Sequence, residues 1–196
     1  EDPYAGLPRI AIVGKPNVGK SSLLNRMLGQ KVAIVSNKPQ TTRTKIMGIY
    51  TKEETQFVFI DTPGFHKPRN QLDKNMNKAV GEGMADVDAA ILVVEAVTPF
   101  KLDPGSIPPG ELELLKELKK RKIKAVLVIN KIDLPSAEPD RVKQEIEDII
   151  GIPADNAPLV SAKTGLNVSD VLESARKNAK TAVNLAMVYA YYEVGR

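Results

Sequence analysis

The chain has 196 residues, with 28 basic and 24 acidic side chains, one His and no Cys. That length predicts one domain with little room for a second. The lack of Cys excludes a disulfide scaffold, a thiolate zinc site, an iron–sulfur cluster and thiol catalysis, and a single His leaves no His-rich metal site. The net charge of +4 permits an anionic partner without requiring one. No apolar run approaches the ~18–20 residues that span a bilayer. The start, EDPYAGLPRI, has neither the basic opening nor the apolar stretch of a signal peptide. A cytoplasmic location is therefore expected, or an organelle matrix if a transit segment preceded Glu1.

Arg9 to Val13 is a short β-branched apolar run ending at Gly14, read as a buried strand. Gly14-Lys15-Pro16-Asn17-Val18-Gly19-Lys20-Ser21 follows and matches GxxxxGK[ST] between a strand and a helix. Such a loop turns backbone N–H groups and a helix N-terminus toward a polyphosphate. Lys20 would reach the β- and γ-phosphates, Ser21 would ligate Mg²⁺, and Ser22 continues the binding stretch. The motif alone does not separate ATP from GTP. The helix continues to Leu28 and stops at Gly29.

Gln30 to Lys45 is polar and reads as a loop. Ile46–Thr51 and Gln56–Ile60 read as a hairpin. Asp61-Thr62-Pro63-Gly64 closes the second of these strands. There an Asp can hold Mg²⁺ through water, and the Gly64 N–H can approach a γ-phosphate. As a bare string it reads equally well as a Pro-containing turn.

Ala89–Glu95 is a continuous apolar strand, Val97 to Gly110 a loop with four Pro, and Glu111 to Arg121 an amphipathic helix. The lysines that end that helix, with Lys122 and Lys124, read as a solvated face rather than an RNA patch. Ala125–Ile129 is a further buried strand, ending in Asn130-Lys131-Ile132-Asp133. A carboxylate at Asp133 can accept from the N1–H and exocyclic amino group of guanine together. Adenine offers neither, and such pairing discriminates by ~10⁴ or more. Pro139–Ile150 reads as a helix and Ala157–Val160 as a last short strand before Ser161-Ala162-Lys163. A small residue there lets a backbone N–H reach guanine O6. The expected fold is α/β, a doubly wound, mostly parallel six-stranded sheet with helices on both faces.

Those four motifs, in this order, resemble a Ras-type GTP-binding domain. The surrounding strings GKPNVGKSSLLNRMLGQKVAIVSNKPQTTRTKIMGI and DTPGFHKPRNQL resemble the Era GTPases. The resemblance implies GTP and GDP as ligands, Mg²⁺ as cofactor, slow GTP hydrolysis and a role in small ribosomal subunit assembly with ribosomal RNA as partner. It implies that Thr42 contacts Mg²⁺ and γ-phosphate, and that Lys20, Thr42 and Gly64 carry the hydrolytic site. Phe65 stands where Ras-like proteins carry a water-orienting Gln, so the resemblance implies K⁺ stimulation with Asn17 as the K⁺ ligand. His66 has no catalytic duty on this reading. A nucleotide-gated docking module without appreciable hydrolysis, or an ATP-using P-loop enzyme, are the alternatives.

The resemblance covers about residues 8–171 as a G domain. Era-type proteins carry a KH domain after it, and no GXXG loop of a KH domain follows Ser161. Residues 172–196 read instead as an extended C-terminal helix of uncertain origin, or the start of a truncated second domain. Ala182 to Tyr192 is almost wholly apolar and would need a partner face.

Overall fold

Alternation of side chains across the sheet explains the two cores of the molecule. The computed structural model describes residues 6–33, 46–52, 55–64, 78, 80–82, 84–97 and 109–194. Five strands stand among them: β1 (Arg9–Val13), β2 (Ile46–Lys52), β3 (Thr55–Asp61), β4 (Ala89–Glu95) and β5 (Lys124–Asn130). Their order is β2-β3-β1-β4-β5. Only the β2–β3 hairpin is antiparallel; β1, β3, β4 and β5 run parallel. The helices are α1 (Lys20–Leu28), α2 (Pro109–Lys120), α3 (Pro139–Glu145) and α4 (Val168–Val194).

One sheet face places Ile10, Ile12, Phe57, Phe59, Ile91 and Val93 against Leu23, Leu24 and Met27 of α1 and Val171, Ala175 and Ala179 of α4. The other places Ala11, Val13, Leu92, Val94 and Ile129 against Leu114 and Leu118 of α2 and Val142 of α3. Period-two burial on both faces is what a parallel sheet covered by crossover helices requires. The doubly wound reading therefore holds.

Three sequence expectations need correction. The sixth strand at 157–160 is a single bridge, Leu159 to Ile129. Pro158 lacks an N–H and can only accept, from Ile129 at 3.0 Å, and Val160 returns one bond to Ile129 at 2.8 Å. The chain then turns at Ser161, so no ladder develops. The helix expected over 139–150 is α-helical only to Glu145; Ile146–Ile150 widens into a π turn ended by Gly151 in the left-handed region. Helix α2 begins at Pro109, inside the stretch read as loop, because Pro is preorganised for a first helical turn. Helix α4 runs without interruption through Val194. The side chains of 182–192, and with them the expected partner face, lie outside the described residues. No helix among the described residues is long and apolar enough to cross a membrane.

Parallel strands put their C-terminal ends on one edge. Gly14, Asp61, Glu95 and Asn130 all end or follow strands there, the edge where open α/β sheets bind ligands.

Candidate functional site

The phosphate loop follows β1 and enters α1 through Gly19, whose φ of 99° lies in the left-handed region. A Cβ on Gly19 would collide with the Asn130 amide nitrogen, and one on Gly14 would lie 2.5 Å from the Val93 carbonyl oxygen. Glycine is thus forced at both positions by close approach. Helix α1 has no side-chain cap and no acidic residue in its first turn. Its positive N-terminal end is arranged for an anion. Asn17 also has positive φ, 63°, in the same loop.

Lys20 is buried, and its ammonium donates to the Lys15 carbonyl at 2.6 Å. Burial lowers its pKa from 10.5 to about 8, and the nearby Asp61 carboxylate opposes part of that shift. A charge held at such cost awaits an anion. The Ser21 hydroxyl donates to Asp61 Oδ2 at 2.6 Å. This pair of hard oxygens is the donor set of Mg²⁺, which takes one or two protein oxygens and fills its shell with water and phosphate oxygens. Ser21 and Asp61 therefore fit that ion. Among the described residues, no group of three or more His, Cys, Asp or Glu gathers to hold a metal alone. Thr62 is buried and donates to the Ile12 carbonyl at 2.7 Å, which ties the end of β3 to β1. Pro63 and Gly64 follow, both buried. A Cβ on Gly64 would lie 2.5 Å from the Pro16 nitrogen, so this glycine rests directly on the phosphate loop.

The second half of the site is centred on Asn130. Its Nδ2 donates to the Val18 carbonyl at 2.9 Å, and its Oδ1 accepts from the Ala162 N–H at 3.0 Å. One buried amide thus joins the phosphate loop to the Ser161-Ala162-Lys163 loop. Ser161 donates to Asp133 Oδ1 at 2.8 Å and accepts from the Thr164 N–H at 3.0 Å. Asp133 itself is exposed, ready for a ligand. Lys131, at φ 67°, pairs with Glu95 at the end of β4.

Gly19, Ser22, Asn25, Arg26, Gly29, Asn130, Lys131, Asp133, Ala162 and Lys163 line one cleft of about 800 Å³. That size suits a small-molecule ligand, for which ~300–1,000 Å³ is usual. The structure brings the sequence-expected residues Lys20, Ser21 and Asp61 together in one group and Asn130, Asp133, Ser161 and Ala162 in another, of which Asn130, Asp133 and Ala162 line the cleft. Thr42, Phe65 and His66 lie outside the described residues.

Three contributors escaped the motif reading. Asn25 accepts from the N–H groups of Val32 and Ala33 at 2.9 and 2.8 Å and donates to the Ala33 carbonyl at 2.8 Å. Arg26 donates to the Ala162 and Lys163 carbonyls. Glu95 holds Lys131. A signal for the first two existed: Ser22, Asn25, Arg26 and Gly29 fall at i, i+3, i+4 and i+7, a polar stripe beside the apolar Leu23, Leu24 and Met27.

Comparison with known proteins extends this picture. A family model described as 50S ribosome-binding GTPase matches residues 9–131. GTPase Era of Clostridioides difficile (strain 630) is 42% identical over 186 residues, covering 95% of this chain and 56% of that protein. A crystal structure of an Aquifex aeolicus Era variant bound to GDP·AlF₄⁻ superposes with a TM-score of 0.73 at 29% identity, covering 88% of this chain and 56% of that one. Era in complex with MgGDPNP and nucleotides 1506–1542 of 16S ribosomal RNA superposes with a TM-score of 0.71 at 28% identity, with the same coverage of both chains. The chain spans about half the length of the curated relatives it matches.

Proposed function

The chain belongs to the family described as 50S ribosome-binding GTPase and is Era-like within it, and from that premise we propose that it binds GTP and GDP and hydrolyses GTP to GDP and phosphate. The observation that carries this reading is the Asn130 bridge. It ties the phosphate loop at Val18 to the Ser161-Ala162-Lys163 loop, beside a cleft lined by Gly19, Asn130, Asp133 and Ala162.

Each residue then has a duty. Backbone N–H groups from Gly14 to Ser22 bind the phosphates. Lys20 regains its full charge beside them and offsets the negative charge that spreads over the transferred group. Ser21 and Asp61, with Thr42, would hold Mg²⁺, which would supply further neutralisation of the phosphate oxygens. The Gly64 N–H, pressed toward the phosphate loop, donates to the γ-phosphate. Asp133 accepts from the guanine N1–H and amino group, with its second carboxylate face already turned by Ser161. Asn130 and the Ala162 N–H, which already share a hydrogen bond, close the site around the O6 edge, and the Lys131 stem covers the base. Phe65 cannot orient water, so the intrinsic rate is slow, and Asn17 would hold a K⁺ that supplies the missing positive charge. By likeness to the Era GTPases the proposal extends to a role in small-subunit assembly with ribosomal RNA, and it takes the cytoplasm or an organelle matrix as the location. The working division of the chain is a G domain over 8–171 followed by the C-terminal helical segment 172–196.

Calorimetric titration with GDP, GTP and ATP tests the binding, and phosphate release with Mg²⁺ in K⁺ or Na⁺ tests the chemistry. Binding of both guanine nucleotides, no binding of ATP and faster release in K⁺ are expected. Failure of GDP and GTP to bind would overturn the reading. Binding with no release in either salt would leave a nucleotide-gated docking module. Asp133→Asn should exchange preference for GDP with preference for xanthosine diphosphate, since the amide then offers a donor to the 2-oxo group.

A further inference from the structure

The Ser161-Ala162-Lys163 loop is held from two sides. Asn130 accepts the Ala162 N–H from below. Arg26, from helix α1, reaches over it. Its Nε donates to the Ala162 carbonyl at 3.1 Å, and its Nη2 donates to the next carbonyl, that of Lys163. The planar guanidinium thus grips two consecutive carbonyls, a geometry a fork of N–H groups provides and an ammonium does not. Gly165 passes close by; a Cβ there would sit 3.6 Å from the Arg26 side chain.

The consequence concerns Ala162. A peptide unit is planar, so fixing its carbonyl also fixes the N–H of the following residue. With the N–H of Ala162 held by Asn130 and its carbonyl held by Arg26, both peptide planes around Ala162 are set. Those planes carry the Ala162 N–H, which Asn130 holds, and the Lys163 N–H, the two groups that the guanine reading sets beside the O6 edge of the base. Arg26 also lines the cleft next to Ala162 and Lys163. The remaining specificity contact, Asp133, is oriented separately by Ser161.

We propose that Arg26 is a positioning residue for guanine recognition: by clamping the Ala162 and Lys163 carbonyls to helix α1, it presents the loop's N–H groups to the 6-oxo group of the base. This rests on the guanine reading above. Arg26 acts on the 6-oxo contact and leaves the 2-amino contact to Asp133. It also makes helix α1, which begins at the phosphates, a direct support of the base-binding loop.

The test measures affinities of the full chain for three diphosphates: GDP, IDP, which keeps the 6-oxo group and N1–H but lacks the 2-amino group, and the diphosphate of 2-aminopurine riboside, which lacks the 6-oxo group and the N1–H and so serves as the reference with no 6-oxo contact to lose. Arg26→Ala should weaken GDP and IDP alike by about tenfold, as loss of two hydrogen bonds to the loop implies. Binding of the 2-aminopurine nucleotide should change less than twofold, so discrimination against it narrows about tenfold. Arg26→Lys, which can reach one carbonyl, should fall between. Equal weakening of all three nucleotides would show a merely structural role and overturn the proposal. So would GDP affinity within twofold of the parent in Arg26→Ala. If the parent chain itself binds no GDP, the failure belongs to the guanine reading, and the Arg26 proposal falls with it.

Discussion

Gly19 and Asn130 make a coupled pair that can be tested without any nucleotide. Asn130 is buried and its amide satisfies two buried backbone groups, the Val18 carbonyl and the Ala162 N–H. Asn130→Ala strands both. A buried group left without its partner costs about 1–3 kcal/mol, so the pair should cost about 3 kcal/mol in unfolding free energy. Gly19→Ala acts in two ways. An Ala at φ 99° stores about 1–2 kcal/mol of backbone strain. Its Cβ also lands on the Asn130 Nδ2 and must push that amide off the Val18 carbonyl. That second effect costs a further ~2 kcal/mol, for a total of about 3–4.

In the double variant the second effect has already been paid by Asn130→Ala, leaving only the strain. Its total should be about 4–5 kcal/mol, against about 6–7 for independent sites, a coupling of about 2 kcal/mol. Urea unfolding of the nucleotide-free parent, both single variants and the double variant measures the four corners. Additivity within about 0.5 kcal/mol would refute the contact as the reason for glycine at position 19.

Lys20 gives a pH test. Its folded pKa of about 8 lies below the 10.5 of the free side chain. Between those values the unfolded chain binds the extra proton, so stability should rise with pH through about 8 to 10.5, and the same rise should vanish in Lys20→Met. Polyphosphate should restore the charge, so GDP binding above pH 8 should take up a proton, read as a buffer-dependent binding enthalpy; equal enthalpies in all buffers would refute it. Gly64→Ala should leave GDP affinity within threefold while slowing phosphate release by up to ~10²-fold, because Pro16 backbone atoms cannot yield and the segment must shift by about 1 Å. An unchanged hydrolysis rate would remove Gly64 from the hydrolytic site. Asn25→Ala should lose about 1–3 kcal/mol and deprotect the Val32 and Ala33 amides in hydrogen exchange. Unchanged protection there would show that Asn25 does not anchor the segment.

The parts of this molecule that sequence discloses are those whose physics is local. Within Arg9–Val13 the residues Ile10, Ala11, Ile12 and Val13 are apolar and three of them β-branched, so the strand is visible without a partner. Ala89–Glu95 is legible for the same reason. The phosphate loop is legible because its glycines, lysine and serine are contiguous. Arg26 is legible only as a member of the polar stripe on α1, and its contacts are not, because its partners Ala162 and Lys163 lie 136 and 137 residues away. At Ala157–Val160 the apolar composition predicts a strand where the structure forms one bridge at Leu159, because composition alone does not weigh the missing N–H of Pro158. The π turn at Ile146–Ile150 was invisible because an apolar stripe over five residues does not separate 3.6 residues per turn from a wider winding.

Helix α1 emerges as the part on which both ends of the cleft converge. Its first residues, Lys20 and Ser21, face the phosphate and cation end, through Lys15 and Asp61. One and a half turns on, Asn25 anchors the chain at Val32 and Ala33, just before the segment that holds Thr42. Its neighbour Arg26 holds the base loop. The opposite face of the same helix, Leu23, Leu24 and Met27, is packed into the sheet core. A nine-residue helix locked on one side is a rigid body, so these polar contacts cannot adjust independently. A nucleotide that draws Lys20 and Ser21 toward its phosphates therefore bears on the anchor of the following loop and on the base-reading loop at once. On the proposed nucleotide reading that arrangement would make nucleotide state and base identity parts of one recognition event, with the coupling in a helix whose motif names only its first two residues.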